Sequence, residues 1–522
     1  MSTRMQPLYV LSEDSDRTSG RDARDSNIRA GKAVASAVRT TLGPRGMDKM
    51  LVDTSGDVVV TNDGATILQE MDIEHPAAQM IVEVAETQEE SVGDGTTTAA
   101  VLTGELLRRA EDLLDDDIHP TVVVEGYDEA VGLAQEAIDD QTLAVELDDD
   151  VLAAVAESSM TGKGTGDVAA DVLADVVVDA VRAVYEAGEP IADDDVRIHT
   201  QTGASSSSTE LVEGVVVDEE RLHDGMSRTV EDATVAVIDT KLDIREGEAD
   251  AEYTISSVEQ LEAAIDAEDE ELRGYATAFA DAGVDVVVCT KSVSDRVANH
   301  LTKHGILAFE NVSSGDASAV ARATGARQLG DVRDLTSSDF GRAERISIRT
   351  FGDDELTFVE GGDAAETVTI LLRGGTEHIV EELERAVNDA VDVTVAAIES
   401  GGVVPGAGST EIAIAEHLRS AAAGIDGRKQ LAVEAFADAV EAVPRTLATN
   451  AGMDPIDAVV ELRSTFDSEG AAGVIATGRT GEIGDPIAAR VFDPAAVKRD
   501  AVTGASEAAT MIIRIDDVIA AN

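Results

Sequence analysis

The chain has 522 residues, 104 of them acidic and 40 basic, for a formal charge of −64. Charge of that sign disfavours direct binding to DNA, RNA or anionic lipid, and one cysteine, Cys289, excludes an intrachain disulfide and a cysteine-based zinc site. A hydrophobic content of 43% with clear periodicity argues against disorder; no run of about 20 apolar residues predicts a membrane span, and residues 1–17 lack the apolar core of a signal peptide.

The length suggests about three domains at roughly 150 residues each. Acidic runs such as Asp115-Asp116-Asp117, Asp148-Asp149-Asp150 and Asp193-Asp194-Asp195 are spread along the whole chain, whereas lysine is confined to positions 32, 49, 163, 241, 291, 303, 429 and 498. Neither a nucleic-acid mimic nor a calcium buffer needs so even a spread. It suits a folded, cytoplasmic protein from a high-salt cell, where screening weakens the self-repulsion of an acidic surface.

In chain order, residues 1–20 read as a polar tail. Ile28, Val34 and Val38 predict a helix over 22–41, ended by Leu42-Gly43-Pro44. Val58-Val59-Val60 reads as a strand running into the turn Asn62-Asp63-Gly64, with a helix from Ala65. Met80, Ile81 and Val84 share a face of a helix over 76–90, and Val101, Leu102, Leu106 and Leu107 do so over 97–114. Between these two helices lies Gly93-Asp94-Gly95-Thr96-Thr97-Thr98. Short apolar runs at 215–217, 235–238, 284–289 and 306–309 then alternate with polar or helical stretches, which suggests an α/β domain over about 218–369. Ser257 and Gln260 have capping-box spacing ahead of a helical pattern. Helical periodicity returns from Glu381, breaks at 401–408, and is interrupted again near 470–493.

The hexapeptide at 93–98 carries the most specific chemistry. Glycine permits tight backbone close to a ligand, and free N–H groups at a helix start, with threonine hydroxyls, favour an anion such as phosphate. Asp94 would repel that anion without an intervening cation, which suggests Mg²⁺. An ordinary N-cap turn is the competing explanation. Gly43-Pro44, Asp63 and Gly406-Ala407-Gly408 have equally plain alternatives as a helix stop, an Asx cap and a loose glycine turn. Asp389 reads either as a functional acid or as one more solvated carboxylate. Lys163, a scarce lysine on the turn Met160-Thr161-Gly162-Lys163-Gly164, has the reach for a phosphate. No GxxxxGK[ST] loop is present, because Ala30-Gly31-Lys32-Ala33 lacks the hydroxyl. Residues 164–169 fit GxGxxA without a preceding strand, and no HExxH or GxSxG occurs.

Taken together, these turns resemble the group II chaperonins, the thermosome family of archaea. The likeness runs through TTLGPRGMDKML at 40–51, VTNDGATIL at 60–68, MDIEHPAA at 71–78, GDGTTT at 93–98, IHPT at 118–121, VVPGAGSTE at 403–411 and Asp493-Pro494. It implies a multidomain α+β chaperonin fold. A mainly helical equatorial ATPase domain would comprise 1–148 and 403–522, and a small intermediate domain 149–217 and 370–402. An inserted α/β apical domain would span 218–369, with a helical protrusion near 241–275 as a built-in lid in place of a separate co-chaperone. The implied partners are unfolded or partly folded client proteins and identical or paralogous subunits in a double ring; the implied cofactors are ATP and Mg²⁺.

Residue by residue, the resemblance assigns Gly43 and Pro44, with Thr41 and Leu42 beside them, to a first phosphate-contacting loop. Gly95, Thr96, Thr97 and Thr98 form the main phosphate loop, and Asp94 is the Mg²⁺ ligand. Asp63 and Asp389 position and activate the attacking water, Lys163 senses the terminal phosphate, and Gly406 and Asp493 meet the nucleoside. Phosphoryl transfer mainly needs charge neutralisation and an in-line water, so such a set is sufficient. Two departures stand out: Ala407 replaces a third glycine common in the family, where a Cβ would crowd the nucleotide if φ is positive although alanine tolerates ordinary helical geometry, and no Gly/Met-rich tail precedes Asn522. Two other readings remain beside this one, a small-molecule kinase with an unusual phosphate loop and a ring subunit without hydrolysis. Val293, Val297 and Leu301 are read either as a client-binding surface or as core.

Overall fold

Helical periodicity at both ends of the chain and short apolar runs in the middle lead to two compact units, one formed by 1–165, 169–175 and 385–522, the other by 166–168 and 176–384. The structure is a computed structural model and describes residues 15–52, 56, 58–163, 170–185, 190–192, 194–244, 258–352, 354–362, 367–477 and 480–521.

The first unit is built on helices α1 (Arg21–Val38), α2 (Gly64–Glu70), α3 (Pro76–Val92), α4 (Thr96–Asp115), α5 (Pro120–Gln141) and α6 (Asp149–Met160). Later helices at Ser409–Ala422, Lys429–Val440, Ala442–Asn450, Pro455–Glu469 and Ala495–Arg514 join them, with the helix Glu377–Ser400 entering the unit from residue 385. The apolar stripes read from the sequence turn inward: Ile28, Ile81, Leu102, Leu106 and Leu107 all lie in one core with Phe436 and Ile512. Aromatics are scarce, and the Tyr127–Phe436 pair meets edge-on at 5.4 Å while the Tyr127 hydroxyl donates to Leu106 O at 2.8 Å. That bond satisfies the polar tip of a fully buried ring.

Short antiparallel pairings complete this unit among the described residues, one of them between Gly473–Thr477 and Thr480–Gly484. Ser15–Ser19 pairs antiparallel with Asp517–Ala521, Lys49–Val52 with Val58–Thr61, and Val403–Pro405 with Phe492–Pro494. The Ser15–Ser19 pairing corrects the expectation of a tail over 1–20: residues 15–19 form a strand whose partner is at the opposite end of the chain, beyond the reach of local periodicity. Residues 1–14 lie outside the described set.

In the second unit a mixed sheet runs in the order Gly214–Val217, Asp354–Gly362, Gly341–Phe351, Thr229–Ile238, Val286–Cys289, Leu307–Phe309, with Gln328–Leu329 also against Thr229–Ile238. Val286–Cys289 pairs parallel on both sides and is buried at every position, which explains its unbroken apolar run. A separate three-stranded sheet has Val368–Gly374 between Val196–Thr202 and Glu210–Val212. Val293, Val297 and Leu301 belong to the core of this unit and offer no surface to a client. The predicted protrusion near 241–275 falls partly outside the described residues, at 245–257, as do Ser257 of the capping box and the GxGxxA stretch; a helix follows over Val258–Ala282. Among the described residues no helix is long and apolar enough to cross a membrane.

Candidate functional site

In the first unit a cavity of about 330 Å³ is lined by Thr41, Leu42, Gly43, Pro44, Asp63, Asp94, Gly95, Thr96, Thr97, Thr98, Lys163 and Asp493. Chain segments far apart in sequence therefore meet on one wall. The volume falls in the range of small-molecule sites.

One end of the cavity is the start of α4. Gly95 is its N-cap with φ 83° and no side-chain cap. The N–H groups of the first turn are thus left for a ligand, with the helix dipole behind them. A Cβ on Gly95 would stand 2.9 Å from both Gln88 Nε2 and Val497 Cγ1, so the loop is pressed against α3 and the last helix. The Gln88 amide donates to Asp94 O at 2.8 Å and to Val497 O at 3.2 Å. Asp94 in turn accepts from Gly95 N–H at 2.6 Å.

Asp63 is the N-cap of α2, accepting from Thr66 N–H at 2.6 Å. The cap reading of this residue therefore holds, but it is not the whole account. The next residue, Gly64, approaches so closely that a Cβ would lie 2.2 Å from Thr97 Oγ1. The asparagine of the same turn, Asn62, donates to Gly162 O at 2.8 Å and so holds the Lys163 turn at the cavity.

Lys163 is paired with Asp389, with side chains 17% and 10% exposed. Neither Asp389 nor Glu89 lines the cavity; both reach it through residues that do. Carboxylate oxygens of Asp63, Glu89 and Asp389 lie within 4.8 Å of one another. Burial, with repulsion from Asp389 and Asp63, pushes the Glu89 carboxyl up to about 9, so it keeps its proton at neutral pH. Asp389 is raised to about 7, chiefly by burial and by Asp63, against the pull of Lys163. Burial draws the Lys163 ammonium down, but Asp389, Asp94 and Asp63 outweigh it and carry it above its ordinary value. Glu89 went unrecognised in the sequence because nothing separates it from Glu83, Glu86 and Glu90 on the same helix.

At the other end Asp493 is bound by Lys498 at 2.7 Å. Gly406 is not on the wall; Ala407 and Gly408 are, and Gly406 N–H donates to Val491 O at 2.9 Å. Glu157, Ser158, Ser159, Arg490 and Lys498 are further wall residues that sequence reasoning passed over. Lys498 carried a usable signal, since the scarcity that drew notice to Lys163 applies equally to it.

Ala407 has φ 56°, the left-handed region that disfavours a Cβ. Its methyl is accommodated by Gly473, on which a Cβ would come within 2.8 Å of it. The local fit leaves the backbone strain, about 1 kcal/mol. Ala407→Gly is therefore expected to raise stability by up to about 1 kcal/mol, read as a higher midpoint in denaturant.

The chain matches the TCP-1/cpn60 chaperonin family over residues 34–522. It is 70% identical to thermosome subunit 3 of Haloferax volcanii, an alignment covering 100% of both chains. It is 50% identical to thermosome subunit alpha of Halobacterium salinarum, covering 99% of this chain and 92% of that one. It is also 50% identical to a thermosome subunit of Methanopyrus kandleri, covering 98% and 95%. With motifs from both chain ends converging on one cavity, the chain belongs to the TCP-1/cpn60 chaperonin family, as a group II archaeal chaperonin.

Proposed function

We propose that this chain is a subunit of an ATP-driven protein-folding chamber. It assembles with identical or paralogous copies into a double ring, binds unfolded or partly folded proteins, and closes a built-in lid without a separate co-chaperone. The observation that carries the reading is the meeting of an uncapped helix start, Asp94, Asp63 and Lys163 at one cavity of about 330 Å³, with Asp389 paired to Lys163 behind its wall.

The residues fit Mg-ATP. The Asp94 carboxylate offers a hard oxygen ligand suited to Mg²⁺, and the threonine hydroxyls and bare N–H groups beside it suit phosphate. Bound Mg²⁺ supplies charge neutralisation at the phosphates, and Asp94 is the residue to hold it. Thr96, Thr97 and Thr98 donate to the phosphates, with Thr41, Leu42, Gly43 and Pro44 closing the other side. Asp389 takes the proton of the attacking water, Asp63 orients that water, and Lys163 lies against Asp389 where it can answer the terminal phosphate. Asp493, Ala407 and Gly408 face the nucleoside, with Gly406 behind the Asp493 carboxylate.

In domain terms we assign 1–148 and 403–522 to an equatorial domain, 149–217 and 370–402 to an intermediate domain, and 218–369 to an apical domain with its lid near 241–275. Differential affinity of ATP for two conformations would couple the cavity to closure. Ring assembly is supported by the hairpin Lys49–Val52/Val58–Thr61, which exposes Met50, Val52, Val58 and Val60. Such a surface calls for a partner. The −64 charge and the two haloarchaeal relatives support a cytoplasmic protein adapted to high salt.

The test is phosphate release from ATP by the purified chain in molar salt. Hydrolysis is expected to require Mg²⁺, to need no small-molecule acceptor, and to vanish with cooperative structure on dialysis to low salt. ATP use only with a specific acceptor would favour a kinase. No hydrolysis at any salt concentration would favour a structural ring subunit.

A further inference from the structure

We propose that Lys498 is a positioning residue, clamped between Glu411 and Asp493, that fixes the Asp493 carboxylate for recognition of the nucleoside. The proposal rests on the reading of the cavity as an ATP site.

Lys498 Nζ lies 2.8 Å from Glu411 Oε1 and 2.7 Å from Asp493 Oδ2. The three residues come from three elements: the first turn of the helix Ser409–Ala422, the strand Phe492–Pro494, and the first turn of the helix Ala495–Arg514. All three line the cavity. Asp493 is the most open, its side chain 24% exposed against 12% for Lys498 and 5% for Glu411. The acid at the surface of the clamp is thus the one available to a ligand, and the other two stand behind it.

Burial draws the Lys498 ammonium down, but Asp493 and Glu411 carry it above its ordinary value, so Lys498 keeps its charge at neutral pH. Space for the carboxylate comes from Gly406, on which a Cβ would stand 3.1 Å from Asp493 Oδ2. This gives Gly406 a place at the nucleoside end although it is not on the wall. Glu411 Oε2 is buried with no protein donor, an unfavourable state unless a ligand or water donates to it. A buried ion cluster stabilises a fold no better than apolar side chains of similar volume. Three charges gathered at a cavity edge are better explained by what they hold in place.

The test uses the double variant Glu411→Gln with Lys498→Met, which removes the two more buried charges together and leaves Asp493, the most open of the three at 24% exposed, facing the cavity. Binding of Mg-ATP and of inorganic tripolyphosphate is measured by calorimetry at high salt. ATP affinity is expected to fall about tenfold, the worth of one charge-assisted hydrogen bond, while tripolyphosphate affinity stays within about twofold. Unchanged ATP affinity would overturn the proposal, and so would an equal fall for both ligands, which marks a merely structural role. Should the double variant not fold, Glu411→Gln alone, which keeps the Lys498–Asp493 pair, is expected to show a smaller loss confined to ATP; wild-type ATP binding in that variant overturns the proposal. Failure of the wild-type protein to bind ATP would instead overturn the reading of the cavity itself.

Discussion

In the Asp389→Asn variant, ATP turnover is expected to fall by about 10²- to 10⁴-fold, the usual loss on removing a general base. Nucleotide affinity is expected to remain near wild type, because the phosphate donors on α4 and the 41–44 loop are untouched. Asparagine keeps the shape of the side chain but cannot accept the proton. Alanine would do further harm, since it leaves Lys163 buried without its partner; breaking such a pair destabilises by about 3–5 kcal/mol. The same assignment fixes the sign of the pH dependence. Asp389 must be ionised to act, and its carboxyl is raised to about 7. In the wild type, kcat/KM, which reports the free enzyme, should therefore decline as pH falls through about 7 and hold above it. Steady-state phosphate release across pH 5.5 to about 8.5 reads this directly. A profile that stays flat down to the ordinary carboxylate range would remove Asp389 from the role.

The largest expected loss of stability lies away from the cavity, at Glu441. This carboxylate is 2% exposed and is shared by Arg419, Arg445 and Arg463. Arg419 and Arg463 have a second acid in Glu416, at 2.9 and 3.5 Å, yet Glu441 is the group on which all three converge. Glu441→Gln removes the charge that holds the guanidinium groups together and is expected to destabilise the chain by about 3–5 kcal/mol. Loss of the exposed pair Arg21–Asp115, whose side chains are 70% and 59% open, is expected to change stability by less than about 1 kcal/mol. Chemical denaturation of both variants at fixed high salt makes the comparison. If both change stability by the same amount, burial is not what gives the Glu441 cluster its weight.

What was legible in the sequence was what is local. The helices of the first unit follow from their apolar spacing, and the buried strands at 215–217, 235–238, 286–289 and 307–309 from unbroken apolar runs. The phosphate loop could be read because its chemistry lies within the hexapeptide 93–98. Thr41 to Pro44, Asp63, Lys163 and Asp493 also reach the cavity, but only the order of several motifs along the chain linked them. Glu89 was invisible for the opposite reason: it acquires significance from Asp63 and Asp389, and neither is near it in sequence. The strand Ser15–Ser19 depends likewise on a partner at the far terminus. At Ala407 the missing glycine raises the question of strain, but only the backbone dihedral, φ 56°, answers it.

The central claim is that the cavity drives a ring. It is tested most directly by electron microscopy of the purified protein in molar salt, with and without Mg-ATP. Two stacked rings that change from open to closed at their outer ends when Mg-ATP is added are the predicted result. Single chains or small oligomers at every salt concentration, unaltered by nucleotide, would contradict it.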